Sequence, residues 1–273
     1  MPHATVNGVV LFYNVVGTGE LPLVLVHGSW VSHHDWDLLI TRFSPLLRIL
    51  TYDRRGHSGS DRPLAQGSVR EDAADLAALI AHWGLGPAWV VGNSFGASIA
   101  LRTADLRPDL VRGLILHEPP LFSLLNGDPT VARLLQEVQG KLKGVVEQLV
   151  SGDYAGGARC FVDTVALRPG AWDRLPPHLR ETMIDNAPTF LDEARDPEQF
   201  LFEVERLQNI AQPTLLTLGD QSPSQFRPVI ERLSGVMTSA SVLRIPEAGH
   251  VPHVTHPDAY AEAVQDFVRR HAV

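Results

Sequence analysis

The stretch that decides the fold is Val90-Val91-Gly92-Asn93-Ser94-Phe95-Gly96, lying between the apolar run Ala88–Gly92 and the alanine-rich segment Ser94–Arg107. It reads as strand, sharp turn and helix, with the pattern G-x-S-x-G. A nucleophile on a strained strand-to-helix turn leaves no space for side chains two residues to either side, which explains glycine at 92 and 96. The turn would lift the Ser94 hydroxyl off the end of the strand. It would also set the following N–H groups at the positive end of a helix.

Outward from this turn, short apolar runs alternate with segments of helical period. Val9–Val16, Leu23–Val26, Leu46–Tyr52, Val111–His117, Pro213–Leu218 and Ser241–Ile245 read as further strands. Helices are expected over Val69–Trp83 and from near Gln225 and Pro257. Strands alternating with helices imply parallel pairing through crossovers, hence an α/β sheet covered on both faces. The interval 121–208 breaks the rhythm. It holds helical segments at Thr130–Gln148, Pro176–Asn186 and Pro197–Leu207, and no convincing strand. A connection this long needs structure of its own or a task such as covering a site.

Composition bounds the class. The chain has 273 residues, 44% of them hydrophobic, and 23 basic against 31 acidic residues give a net charge of −8. That length suits one large domain or a core with an insertion, and it buries enough surface to fold without staples. The hydrophobic fraction excludes a disordered chain. The acidic balance disfavours nucleic acid and anionic membrane surfaces as partners. A single cysteine, Cys160, excludes an internal disulfide and a cysteine-based zinc knuckle. No run of 18 uncharged apolar residues is present, and MPHATVNGVV at the N-terminus lacks the features of a secretory signal. A cytoplasmic globular protein is therefore expected, with a homodimer an open option.

A second motif, His27-Gly28-Ser29-Trp30, directly follows the strand Leu23–Val26. A His-Gly turn there can aim a backbone N–H at a developing oxyanion, together with the amide of Phe95. Ser29 N–H is the expected donor and Trp30 N–H the alternative. The His27 side chain reads as part of the turn.

With these pieces in place the chain resembles the α/β-hydrolases that carry a helical cap. HGSW at 27–30, YDRRGHSGS at 52–60, GNSFG at 92–96, PTLLTLGD at 213–220 and PEAGHVPH at 246–253 occur in family order. The resemblance implies a mostly parallel central sheet flanked by helices, with a hydrolase core at 1–120 and 209–273 and a helical cap at 121–208. It also implies a Ser-His mechanism without cofactor or metal. The family's histidine corresponds to His250, in the Gly249-His250 turn after Ser241–Ile245; it would take the Ser94 proton and return it to the leaving group.

The acid departs from the commonest family pattern. Many relatives carry an aspartate three residues beyond the glycine that ends the strand after the cap, and that position here is Ser222. Two carboxylates remain. Glu118 follows Val111–His117 in the sequence HEPP, 24 residues beyond Ser94, where lactone hydrolases acting on zearalenone take their acid. Asp220, one residue after Gly219, is the alternative. Glu118 is preferred as the group that accepts the His250 Nδ1–H. Among the other histidines, Pro252 and Pro257 place His253 and His256 in a loop near the site rim rather than in a zinc site. His57 reads as a hydrogen-bonding brace, and Asp53, beside Arg54 and Arg55, as an ion-pair residue.

Serine at the elbow argues against the aspartate-nucleophile chemistry of related haloalkane and epoxide hydrolases. Acyl transfer to Ser94 and then to water is the default: ester, lactone or thioester cleavage. Trp30, Leu121, Phe122, Trp172 and Met183 are expected to line the substrate pocket. Phe95, Leu124, Leu125, Phe161 and Phe190 are further candidates. They suggest a hydrophobic small-molecule substrate. Phosphate-bearing acyl compounds are disfavoured because no Lys/Arg cluster marks the cap entrance. The alternatives are a cofactor-free C–C hydrolase, lyase or dioxygenase on the same fold, or a non-catalytic small-ligand receptor.

Overall fold

Eight apolar runs pair into one sheet: β1 (His3–Val6), β2 (Val9–Val16), β3 (Leu21–Val26), β4 (Leu47–Tyr52), β5 (Ala88–Asn93), β6 (Val111–His117), β7 (Thr214–Gly219) and β8 (Ala240–Ile245). The structure, a computed structural model, describes residues 2–43, 45 and 47–272, so Leu46 of the expected fourth strand lies outside the described residues. Strand order is β1-β2-β4-β3-β5-β6-β7-β8. The pairs β1–β2 and β2–β4 are antiparallel and all others parallel.

Side-chain alternation assigns the two faces. Val24, Val26, Val90, Leu114 and Leu116 pack with the helices Val69–His82, Phe95–Leu106 and Phe226–Val236. Leu23, Leu25, Trp89, Val91 and Ile115 pack on the other face with Trp36, Leu39 and the helix Pro257–His271. Period-two alternation of apolar residues on both faces is what a parallel strand under two helix layers requires. No helix among the described residues is long and apolar enough to cross a membrane.

From β3 the chain moves to β4 on one side and then to β5 on the other. That reversal opens a crevice at the carboxyl ends of the strands. The loops after β3, β5, β6 and β8 carry Ser29, Ser94, Glu118 and His250, and all meet at this edge. The fold therefore brings together residues spread over much of the chain.

Several elements differ from the sequence reading. The strand β1 was not expected, although Asn7-Gly8, both at positive φ (48° and 77°), is the signature of a tight hairpin turn. Between β6 and β7 the helix expected at Thr130–Gln148 runs Ala132–Val150. The one expected at Pro176–Asn186 continues through Pro188 to Arg195. An internal proline removes one backbone bond without ending a helix that packs well on its neighbours. The expected helix Pro197–Leu207 is reduced to Val204–Gln208, and an additional helix spans Tyr154–Phe161. The helices Ala132–Val150, Tyr154–Phe161 and Pro177–Arg195 enclose a separate apolar cluster that includes Val145, Leu149, Val162, Trp172, Met183 and Phe190, and Trp30 inserts into it from the core.

Gly113 on β6 lies against Trp89 on β5. An added Cβ would sit 2.2 Å from the Trp89 ring and 2.9 Å from the Pro213 carbonyl oxygen. Since Trp89 is fully buried, it has nowhere to move. Gly113→Ala is expected to destabilise the protein by about 1–3 kcal/mol or more through overpacking, read as a lower urea midpoint at unchanged slope.

Candidate active site

Ser94 occupies the bend between β5 and the helix Phe95–Leu106 at φ 54° and ψ −122°. A serine there is strained, and the surrounding contacts hold it. Its N–H donates to the His117 carbonyl at 2.8 Å. A Cβ on Gly92 would fall 2.4 Å from the Gly96 carbonyl oxygen, and one on Gly96 would fall 2.2 Å from that of Val26. Both glycines are therefore imposed by backbone contact, as the G-x-S-x-G pattern predicts.

The carboxylate of Glu118 is fully buried and accepts two strong bonds. His250 Nδ1–H donates to Oε2 at 2.6 Å, and Gly219 N–H donates to Oε1 at 2.9 Å. His117 Nε2 stands 3.3 Å from Oε1. Burial alone would raise this acid. The adjacent His117 and His250 and the hydroxyl of Ser222 outweigh it and bring the pKa down to about 2. Burial lowers His117 to about 4, so its ring is neutral near pH 7. The His250 ring is fixed on its other side by stacking on Phe226, with centroids 4.3 Å apart and planes 13° apart. Asn93 Nδ2 donates to the His250 carbonyl at 2.9 Å, tying the histidine loop to the elbow.

Ser94 and His250 line the same two cavities, together with Ser29. No hydrogen bond joins the Ser94 hydroxyl to His250 among the described residues; such bonds commonly tighten only when substrate is seated. The larger cavity, about 180 Å³, is walled by Val31, Phe161, Val162, Leu175, Leu179 and Met183. The smaller, about 30 Å³, is walled by Phe95, Phe122, Leu142, Phe190, Phe200 and Phe226. The amides of Ser29 and Phe95 make no hydrogen bond to a described residue, which leaves both available to a ligand oxygen.

A buried polar network lies behind these amides. The Ser29 hydroxyl donates to Glu193 Oε2 at 2.5 Å, and Arg54 donates to Glu193 Oε1 at 2.9 Å. Arg54 also donates to both oxygens of Asp72 and, at 3.2 Å, to the Gly28 carbonyl. Burial opposes the charge on Arg54, but Asp72 and Glu193 hold its pKa above the ordinary value. Burial pushes the Glu193 carboxyl up against the pull of Arg54 and Ser29.

Glu118 is the carboxylate on His250. Asp220 is exposed and makes no bond to the ring, because its position directly after Gly219 turns it out of the crevice. His27, lowered by burial to about 4, accepts from Arg54 N–H at 3.0 Å and donates from Nδ1 to the Gly28 carbonyl at 2.8 Å, in keeping with a turn builder. His57 is likewise buried and bonded to the Arg55 carbonyl. Asp53 pairs with His33 at 2.8 Å rather than with its neighbours, whose guanidiniums reach Asp72, Glu193, Glu71 and Asp75. His253 is not at the rim. It is fully buried, 2.7 Å from Asp35 and packed on Trp36. His256 does line the outer mouth, with Arg168 and Arg174. Glu247 lines it as well.

Of the expected pocket residues, Phe122 and Met183 line the cavities. Trp30, Leu121 and Trp172 are packed into apolar clusters instead, because large apolar side chains near a site also have to build the core around it. Leu142, Leu175, Leu179, Phe200 and Phe226 were not anticipated; only the three-dimensional path of the 121–208 segment and the following helix brings them to Ser94. The ligand-capable atoms of His117, Glu118 and His250 lie within 4.8 Å of one another. Glu118 is bonded to His250 and Gly219, and His117 Nδ1 shares a hydrogen bond with the Thr217 hydroxyl.

Fold and site together define the class as an α/β-hydrolase. The alpha/beta hydrolase family model matches residues 23–263, and the chain belongs to that family. It is similar to the pimeloyl-[acyl-carrier protein] methyl ester esterase of Neisseria meningitidis serogroup A, at 28% identity over 249 residues, covering 89% of this chain and 75% of that protein. Among solved structures, the enol-lactonase from Burkholderia xenovorans LB400 superposes with a TM-score of 0.79 at 19% identity, covering 98% of this chain and all of that one, 100%. Est816, described as an N-acyl homoserine lactone degrading enzyme, gives 0.77 at 23% identity, with coverage of 98% and 100%. At these identities the two structures bear on the fold.

The lowered Glu118 pKa links to stability. A carboxyl near 4.5 when unfolded and about 2 when folded favours the native state by about 3 kcal/mol, present above pH 4.5 and lost as pH falls through 2. In urea melts, the stability advantage of the wild type over Glu118→Gln is expected to be constant from pH 7 to 5 and to shrink between pH 4.5 and 2.5.

Proposed function

We propose that this α/β-hydrolase cleaves a carboxylic ester or lactone of a hydrophobic small molecule through an acyl-enzyme on Ser94. The observation that carries this reading is the buried Glu118–His250 pair at 2.6 Å, opening on the same apolar cavity as the strained Ser94 turn. Glu118 holds the proton on Nδ1, so Nε2 is left as the base. Nε2 takes the Ser94 proton as Oγ attacks the carbonyl carbon. The oxyanion is met by the Ser29 and Phe95 amides, the latter at the positive end of its helix. Collapse expels the alcohol, which leaves with the proton held by His250. Water then repeats the sequence on the acyl group and restores Ser94. In a lactone the leaving alcohol stays attached to the acyl chain, and water releases a hydroxy acid.

The helical segment 121–208 acts in this scheme as a cap. Phe122, Leu142, Phe161 and Met183 supply walls that exclude water from the reacting carbonyl and accept an apolar acyl or alcohol group. The scheme needs no metal or organic cofactor, because His250 handles the proton and the amides hold the charge.

A panel of acyl esters and lactones of graded chain length and ring size tests the proposal, with a fluorophosphonate probe as an independent readout. Wild type is expected to turn over members of the panel and to label at Ser94. Ser94→Ala and His250→Ala should each lose about 10⁴-fold or more in kcat, and Glu118→Ala about 10²–10⁴-fold. Asp220→Ala should stay within about twofold. Folded protein that neither labels nor cleaves any member would sink the acyl-enzyme reading. It would leave a receptor, or a histidine acting as base on the substrate itself.

A further inference from the structure

The polar grip on the loop that carries Ser29 comes from one helix of the 121–208 segment, Pro177–Arg195. Asn186 and Glu193 stand two turns apart on that helix, on one face, and both are buried. Asn186 Nδ2 donates to the carbonyls of Trp30 at 3.2 Å and Val31 at 3.1 Å. Its Oδ1 accepts from Ser58 N–H at 2.9 Å. Glu193 takes the Ser29 hydroxyl at 2.5 Å and is itself anchored on Arg54. The Trp30 ring lies against Phe161 and Phe190 of the same segment, at centroid distances of 5.1 and 4.9 Å.

The grip has something to hold. Trp30 has φ 74°, a conformation that a bulky residue adopts only where its surroundings over-determine it. Relaxing Trp30 would rotate the adjoining Ser29–Trp30 peptide and carry the Ser29 backbone off its present heading. Among the described residues, every polar contact from the 121–208 segment to Ser29, Trp30 and Val31 runs through Asn186 and Glu193. The Ser29 hydroxyl has one proton, and it is spent on Glu193, so the side chain acts as a tether and the backbone N–H remains the donor to substrate.

We infer that Glu193 is a positioning residue for the oxyanion hole: through Ser29 it holds the strained loop in register with the Phe95 amide, with Asn186 bracing the two residues that follow. This rests on the acyl-transfer reading above and deepens it. The cap then does more than enclose substrate, because half of the oxyanion hole is in place only when the cap helix is seated.

The test compares wild type, Glu193→Ala, Glu193→Gln, Ser29→Ala and the Ser29→Ala/Glu193→Ala double variant on one ester that wild type cleaves. Glu193→Ala and Ser29→Ala are each expected to lower kcat about 10–100-fold with KM within about twofold. The double variant should be no worse than either single one, since both remove the same tether. Inhibition by a trifluoromethyl ketone should weaken in step with kcat/KM, whereas binding of the neutral product alcohol should not move. Glu193→Gln, whose amide oxygen still accepts from Ser29, should recover part of the loss. Losses confined to KM, additive losses in the double variant, or no loss at all would overturn the inference. Hydrogen exchange of the 28–33 backbone gives a readout free of turnover. Faster exchange in Glu193→Ala is expected, and unchanged exchange refutes the tether even if the protein proves to cleave no ester. Absence of turnover in wild type alongside faster loop exchange would place the failure in the acyl-transfer reading.

Discussion

A carboxylate shut away from water must have its charge answered by donors at close range, and the crevice of this protein is organised around one such group. Burial alone would neutralise Glu118. Gly219 N–H and His250 Nδ1–H each take one of its oxygens, and the His117 ring lies beside Oε1 at 3.3 Å. The acid and its two donors come from three strand ends: β6 supplies Glu118, β7 supplies the amide, and the loop after β8 supplies His250. These hydrogen bonds thus tie three adjacent strands together at the edge where Ser94 emerges. Removing the charge would loosen the histidine and the sheet edge alike, and stability and chemistry share one interaction here.

The same edge shows a division of labour between strain and support. Ser94, Glu118 and Trp30 all sit at positive φ without being glycine. Such residues persist only where neighbours hold them. Ser94 is held by the packed backbone of its own turn, and Glu118 by its hydrogen bonds to Gly219 and His250. Trp30 is held from outside the hydrolase core, by a helix that belongs to the 121–208 segment. The parts of the site that must be rigid in every state are fastened to the sheet.

Much of this was legible in the sequence. Strand boundaries for β2 and β6 and the start of the final helix coincide with the observed ones, because apolar period and proline or glycine punctuation agree there. Ser94, His250 and Glu118 stand in motifs whose geometry is local or fixed by strand ends. The 121–208 segment was readable as helical yet not in detail, since helix ends there depend on packing against a core that no local pattern describes. Pro188 is the plainest case: its ring argues for a stop, and tertiary contact overrides it. Pocket lining was the least legible. Trp30 and Trp172 are as apolar as any residue that faces the cavity, and only their place in the apolar cluster of the 121–208 helices tells them apart. Glu193 carried no signal at all, because its partner Ser29 lies 164 residues away.

The shift of the acid from β7 to β6 has a simple geometric basis. The two strands are neighbours in parallel register, Leu114 to His117 against Thr214 to Thr217, so their carboxyl ends open on the same space. A residue following β6 therefore reaches the His250 Nδ1 from one strand further along the sheet. A glutamate, one methylene longer than aspartate, suits that longer reach. The position it replaces has been converted into support. Gly219 turns its N–H to the displaced carboxylate, and Ser222, where the commoner acid would stand, is small, neutral and close enough to favour its charge. A second carboxylate at 222 would set two like charges against one imidazole and raise the pKa of at least one of them. A neutral residue at 222 and a glutamate at 118 are thus two halves of a single arrangement, and an aspartate at 222 is compatible with it only if position 118 gives up its charge.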